Sequence, residues 1–152
     1  MAQELLIMSH AFAGVAAGIA ALWAFIELLN ASSKNTNRIK IASVTSTVLM
    51  WISYFLAADF YIYSYGPDKQ IIKSGDWWWA HAFFTESKEH FFFLLILLSM
   101  LVVLVVYRTP FETDAAPRRF AQITLMTIFV IVAMAEFFGA VMTAGVRVGG
   151  GI

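Results

Sequence analysis

Residues 85–106 read TESKEHFFFLLILLSMLVVLVV, and this stretch decides the structural class of the chain. Its second part, residues 91–106, is sixteen residues long and contains one polar residue, Ser99. A hydrocarbon core about 30 Å thick requires about 20 mostly apolar residues in one helix. The stretch therefore predicts a membrane-spanning helix whose first turn carries a group of ionisable side chains.

The composition extends this prediction to the whole chain of 152 residues. Hydrophobic residues make up 61% and charged residues 13%, whereas a soluble domain carries about 25% charged residues. Ten Lys and Arg balance ten Asp and Glu, so no net charge favours binding to nucleic acid. Cysteine is absent, which excludes disulfides, thiolate metal ligands and iron–sulfur clusters.

Three further apolar stretches bring the predicted number of membrane spans to four. We expect the spans at about residues 5–29, 39–63, 84–107 and 120–144. The longest connection, residues 66–80, joins the second span to the third, and the tail from Gly145 is expected to be flexible. The chain is thus predicted to be one domain, residues 1–152, forming an all-α integral membrane protein with an antiparallel four-transmembrane-helix bundle.

Basic residues near the ends of the spans predict the orientation of the bundle. The first and third connections carry six of them: Lys34, Arg38, Lys40, Arg108, Arg118 and Arg119. The opposite side carries four: Lys69, Lys73, Lys88 and Arg147. Because short cytoplasmic loops are enriched in Lys and Arg, we expect both termini on the non-cytoplasmic side of a multi-pass protein. A prokaryotic-type plasma membrane is the expected location.

Ionisable residues of all four predicted spans lie near the same membrane face. They are His10 in the first span, Asp59 in the second, Glu86, Glu89 and His90 in the third, and Glu136 in the fourth. At about 1.5 Å of rise per residue, all of them fall within roughly 6–12 Å of that face. Ionisable groups within a membrane are costly and are usually paired or functional. Their common depth predicts a buried polar site, and a metal centre is one form that it can take.

The chemistry of these side chains suits a transition metal. Glu86 and His90 are four residues apart, which places a carboxylate and an imidazole on one helical face. Such ligands suit iron, manganese or zinc, and copper where histidines dominate. The predicted metal ligands are His10, Asp59, Glu86, Glu89, His90 and Glu136, with Glu89 either a ligand or a base beside the metal. The Glu-x-x-His spacing of soluble di-iron bundles is not present, so no family is indicated.

Haem b is the rival cofactor, with His10 and His90 as its axial ligands. His10 lies one turn before Gly14 and two turns before Gly18, and small residues at this spacing let another helix approach closely, so His10 is expected to look into the bundle. A haem also requires a gap between helices that is lined with small residues. His81 is an alternative partner for His10, although it lies about 180° from His90 around a continuous helix. The carboxylates at the same depth, Asp59, Glu86 and Glu136, count against haem, because they would crowd a largely apolar macrocycle.

The ionisable residues at this common depth suggest three functions, and the sequence leaves all of them open. The first is a redox-active metal-binding protein that works alone or as a subunit of a larger membrane complex. The second is a non-catalytic accessory subunit whose carboxylates are neutralised by Lys88 or by a partner's cations, in contact with lipid and with other membrane subunits or copies of itself. The third is a proton or cation pathway, which the confinement of the polar layer to one face disfavours. Nucleophile-elbow and phosphate-loop motifs are absent.

Overall fold

The computed structural model describes residues 2–150, and side chains from residue 3 onwards. These residues form five α-helices, which are α1 (Ala2–Leu29), α2 (Thr36–Tyr63), α3 (Tyr65–Ser74), α4 (Glu86–Arg108) and α5 (Ala115–Gly150). A π-helical segment, Ala80–Thr85, leads directly into α4. No β-strand occurs among the described residues, so the predicted all-α class is confirmed.

Four of these helical stretches are long and apolar enough to cross a membrane. They are Gln3–Leu29, Thr36–Tyr63, Ala80–Arg108 and Ala115–Gly150. The number of spans matches the prediction, and the chain is a multi-pass membrane protein by the length and composition of its helices. Residues 1, 151 and 152 of the predicted domain lie outside the described part of the chain.

The last helix is longer than the sequence predicted, because α5 continues to Gly150. Residues 145–150, which belong to the tail that was expected to be flexible, are helical. Gly145 is buried beside Ala80 and Ile72. A Cβ atom on Gly149 would lie 2.8 Å from the carbonyl oxygen of Ile71. Glycines thus let the end of α5 pack closely against α3, and this packing holds the last turns in helical form.

Small residues bring α1 close to its neighbours in the bundle. Ala17, Ala21 and Ala24 have no exposed surface. A Cβ atom on Gly18 would lie 3.0 Å from Cγ1 of Val132 in α5. The first span therefore uses its small residues for close helix packing, as the Gly14/Gly18 spacing predicted.

Side-chain hydroxyl and amide groups bond across the helices. Ser46 Oγ donates to the Ala17 carbonyl at 2.9 Å, which joins α2 to α1. Thr47 Oγ1 donates to the Ser99 carbonyl at 3.1 Å, which joins α2 to α4. These bonds satisfy polar groups in an apolar setting and fix the relative positions of the helices.

The connection between the second and third spans contains α3, which the sequence did not predict. Tyr65 and Ile72 are the buried residues of this helix, seven positions apart on one face. Pro67 lies in its first turn, where a missing backbone N–H is tolerated. Because α3 packs against α5 and α2, it covers the end of the bundle at which α2 ends and α4 begins.

Candidate functional site

Four side chains, one from each span, form a polar cluster within the bundle. The polar cluster consists of His10 (α1), Ser53 (α2), Lys88 (α4) and Glu136 (α5). Nδ1 of His10 lies 2.9 Å from the Ser53 carbonyl oxygen and 2.9 Å from Ser53 Oγ. Ser53 Oγ also donates to the His10 carbonyl at 3.1 Å. Since Ser53 is 1% exposed, this reciprocal pair is a buried link between the first two spans.

Glycines provide the space for the charged members of the polar cluster. A Cβ atom on Gly14 would lie 2.8 Å from Oε1 of Glu136. A Cβ atom on Gly139 would lie 3.0 Å from Nζ of Lys88. The Glu136 carboxylate therefore rests against the backbone of α1, and the Lys88 ammonium against that of α5.

The ammonium of Lys88 and the carboxylate of Glu136 attract each other, and both side chains are partly buried. Taking an ammonium and a carboxylate out of water is expensive, and their mutual attraction offsets the expense only when both are present. The ammonium of Lys88 also acts on the imidazole of His10. Lys88 is therefore the residue that couples the acidic and the basic members of the cluster.

The remaining predicted ligands are on the outside of the bundle. Asp59, Glu86, Glu89 and His90 are all exposed. Nδ1 of His90 lies 2.7 Å from the carbonyl oxygen of Glu86 in its own helix. The helical period explains this placement, because Glu86 and His90 each lie about 200° around the helix from Lys88. When Lys88 points inward, those two residues point outward.

The structure therefore brings together two of the six predicted metal ligands, His10 and Glu136, in one cluster with Lys88. Within residues 2–150, no group of three or more His, Asp and Glu side chains is close enough to share a metal ion. His90 points away from the side on which Lys88 meets His10, so the arrangement gives the haem pair no support either. A metal or haem cofactor stays a prediction for this protein.

His81 belongs to a separate buried group at the start of the third span. Its Nδ1 lies 2.9 Å from the hydroxyl of Tyr65 and 3.2 Å from Oγ1 of Thr85. The Tyr65 hydroxyl lies 3.1 Å from the same Thr85 oxygen. Burial raises the pKa of the Tyr65 phenol. The four-residue spacing of His81 and Thr85 is visible in the sequence, but nothing there indicated Tyr65 as the third member.

A cavity of about 350 Å³ opens beside the polar cluster, bounded by residues of α1–α5 and of the π-helical segment. Aromatic rings form much of its wall, from Tyr54, Phe60, Tyr61, Tyr65, Phe92 and Phe93. His10, Asp68, Lys88 and Glu89 supply ionisable groups to its lining. The cavity is thus apolar and aromatic over most of its surface and has a few polar groups, as binding sites for small molecules commonly do.

The fold and site define a multi-pass helical membrane protein with a buried polar cluster and an adjoining cavity. Comparisons with protein families, with curated proteins and with solved structures found no match to this chain. Its function is therefore inferred from its own residues and their geometry.

Proposed function

We propose that this protein is a non-catalytic subunit of a membrane complex. In this proposal the four spans form an antiparallel bundle with both termini outside the cytoplasm, in agreement with the distribution of basic residues. The observation that carries the proposal is the division of the ionisable residues between two locations. One carboxylate, Glu136, lies within the bundle in the electrostatic field of Lys88, and those of Asp59, Glu86 and Glu89 are exposed.

The inner pair supports a structural role for the polar cluster. The ammonium of Lys88 offsets part of the cost of burying the Glu136 carboxylate, and in this proposal no metal ion takes part. Buried polar groups can select one helix arrangement over others, since a shifted arrangement would leave a charge without its partner. The cluster joins all four spans, so its role here is to specify how they pack.

The outer residues support contact with another protein. Asp59 is exposed four residues before the end of α2, and Glu86, Glu89 and His90 are exposed in the first turns of α4. Ionisable residues within spans rarely face lipid and commonly face protein or water. Three exposed carboxylates at this end of the bundle, where α2 ends and α4 begins, suit a partner surface that carries Lys or Arg, because complementary charge steers and orients association.

A double-mutant cycle on Lys88 and Glu136 tests the structural role of the polar cluster. Lys88→Met and Glu136→Gln are each expected to lower the free energy of unfolding by about 1–3 kcal/mol, because each leaves a partly buried charge without its nearby opposite charge. The free energy of unfolding of the double variant is expected to fall by much less than the sum of the two single losses. Thermal unfolding of the purified protein in detergent measures the three values, and Lys73→Met, at an exposed position, is the matched control. Additive losses would contradict a coupled pair.

The size of the native complex tests the role as a subunit. The variant Glu86→Gln/Glu89→Gln is expected to release the protein from a larger assembly extracted from its own membranes, as seen by native gel electrophoresis. Asp76→Asn, in the exposed connection after α3, is the control and should leave the assembly intact.

Metal analysis and an optical spectrum of the same preparation complete the test. A stoichiometric metal or a haem Soret band that disappears in His10→Ala would overturn the proposal in favour of a redox-active metalloprotein.

A further inference from the structure

We propose that the cavity beside the polar cluster binds a lipophilic cation, an apolar molecule that carries an ammonium or phosphonium charge. This inference does not rest on the role as a subunit, because the cavity is formed within a single chain, although the exposed Glu89 belongs to both surfaces. It rests on the shape of the cavity, the chemistry of its walls and the balance of charge around it.

The walls of the cavity suit a cation with an apolar body. Six aromatic residues line it, namely Tyr54, Phe60, Tyr61, Tyr65, Phe92 and Phe93. Several of these rings pack on one another, with Tyr54 5.8 Å from Phe92 and Tyr61 stacked 5.3 Å from Tyr65 between ring centroids. Aromatic faces attract cations through the ring quadrupole. A volume of about 350 Å³ is at the lower end of the range for small-molecule sites.

The charges on the cavity wall favour a positive ligand over a negative one. Asp68, Lys88 and Glu89 are its charged residues. The ammonium of Lys88 also faces the carboxylate of Glu136, which offsets its charge. The carboxylates of Asp68 and Glu89 therefore determine the net charge that a ligand meets, and a low-dielectric cavity of one sign concentrates ions of the opposite sign.

Both carboxylates interact with a neighbouring helix. Oδ2 of Asp68 accepts a hydrogen bond of 2.9 Å from Nε2 of Gln3, which ties α3 to the start of α1. The Glu89 carboxylate lies near the hydroxyl of Tyr61, itself a residue of the cavity wall. Burial raises the pKa of the Asp68 carboxyl, so this group lies in a partly desolvated position. A cation bound beside it would supply the opposite charge that it lacks.

Binding of tetraphenylphosphonium by the purified full-length protein in detergent tests this inference. Tetraphenylborate is the control ligand, since it has nearly the same shape and the opposite charge. We expect saturable binding of the phosphonium at one site per chain in equilibrium dialysis, and no saturable binding of the borate. Equal binding of both ions, or none of the phosphonium, would overturn the proposal and leave lipid or a hydrophobic partner as the occupant.

Variants locate the binding site. Asp68→Asn and Glu89→Gln are each expected to weaken phosphonium binding about tenfold, the loss that corresponds to about 1.4 kcal/mol. Phe92→Leu keeps the apolar wall but removes a ring, and a loss of about three- to tenfold is expected. Asp76→Asn removes an exposed carboxylate outside the cavity lining and should leave binding unchanged. Unchanged affinity in both Asp68→Asn and Glu89→Gln would exclude this cavity as the site. These results do not depend on the size of the native complex, so the two proposals can fail separately.

Discussion

At the scale of single residues, the absence of a side chain decides how close two helices can lie. Gly14 leaves space for the Glu136 carboxylate, and Gly139 for the Lys88 ammonium. The carboxylate and the ammonium are the ends of long, flexible side chains, which can move to make room for a Cβ atom. Gly18 differs, because it faces the branched side chain of Val132 directly. Close approach at Gly18 therefore depends on the glycine itself.

Gly18→Ala is expected to destabilise the protein by about 1–3 kcal/mol, the usual effect of overpacking a close contact. The added Cβ atom would lie 3.0 Å from Val132 Cγ1 and 3.5 Å from its Cβ, so the valine side chain or the helix that carries it must shift by a few tenths of an ångström. Unfolding by heat or denaturant in detergent measures the loss. Gly66→Ala is the control, since a Cβ there meets nothing within 4 Å. Equal stability of the two variants would show that α1 and α5 do not need this contact.

At the scale of elements, the start of the third span is the least regular part of the bundle. The π-helical segment Ala80–Thr85 carries the buried His81, and Tyr65 of α3 bonds to it from outside. A π-helical turn inserts an extra residue in a helix and changes which side chains share a face. The bonds among Tyr65, His81 and Thr85 thus connect α3 to the π-helical segment, which affects which side chains of α4 face the bundle.

Tyr65→Phe is expected to loosen this segment. The variant removes the hydroxyl that contacts His81 and Thr85 and leaves buried polar atoms with fewer partners, which costs about 1–3 kcal/mol. Hydrogen exchange of the backbone amides of residues 80–85 should accelerate by about 5- to 100-fold if the segment opens locally. Tyr63→Phe is the control, because Tyr63 is 79% exposed. Exchange that is equally slow in both variants would mean that the hydroxyl does not hold the segment.

At the scale of the whole molecule, contacts of the helix ends with each other and with a connection stabilise the end of the bundle opposite α3. Thr36 Oγ1, at the start of α2, donates to Glu112 Oε1 at 2.7 Å, and Glu112 lies in the connection between α4 and α5. On the same side, Nη2 of Arg38 in α2 lies 3.2 Å from Oε2 of Glu27 in α1. These contacts join distant parts of the chain outside the apolar core.

The Thr36–Glu112 bond predicts how stability depends on pH. The hydrogen bond from Thr36 lowers the pKa of the Glu112 carboxyl below its usual 4.5. A carboxyl with a lowered pKa in the folded state stabilises the fold above its unfolded pKa, and this contribution disappears as the pH falls through its folded pKa. The stability difference between the wild type and Glu112→Gln should therefore shrink between about pH 6 and about pH 3. Thermal unfolding across this range measures it.

Thr36→Val is the matched variant for the pH experiment. It removes the hydroxyl that donates the same hydrogen bond, so the difference in stability between this variant and the wild type should shrink over the same pH range. A difference that stays constant with pH for both variants would mean that ionisation of Glu112 does not contribute to stability.

The number and approximate positions of the spans follow from the sequence alone, because the length of an apolar stretch is a local property that the bilayer thickness selects. The packing role of Gly14 and Gly18 and the inward position of His10 were predictable for a similar reason, since small residues mark close helix contacts. The extension of α5 to Gly150 and the existence of α3 were not, because both depend on contacts between segments far apart in the chain.

The stretch 85–106 shows most clearly what the tertiary structure decided. Its apolar part already required a spanning helix, but its ionisable part allowed either of two faces to point inward. Lys88 is about 200° from both Glu86 and His90 around the helix, so the two faces cannot enter the bundle together. Packing turned Lys88 towards Glu136 and left Glu86 and His90 exposed. The rotation of a helix about its axis is set by the side chains of its neighbours, which no local pattern contains.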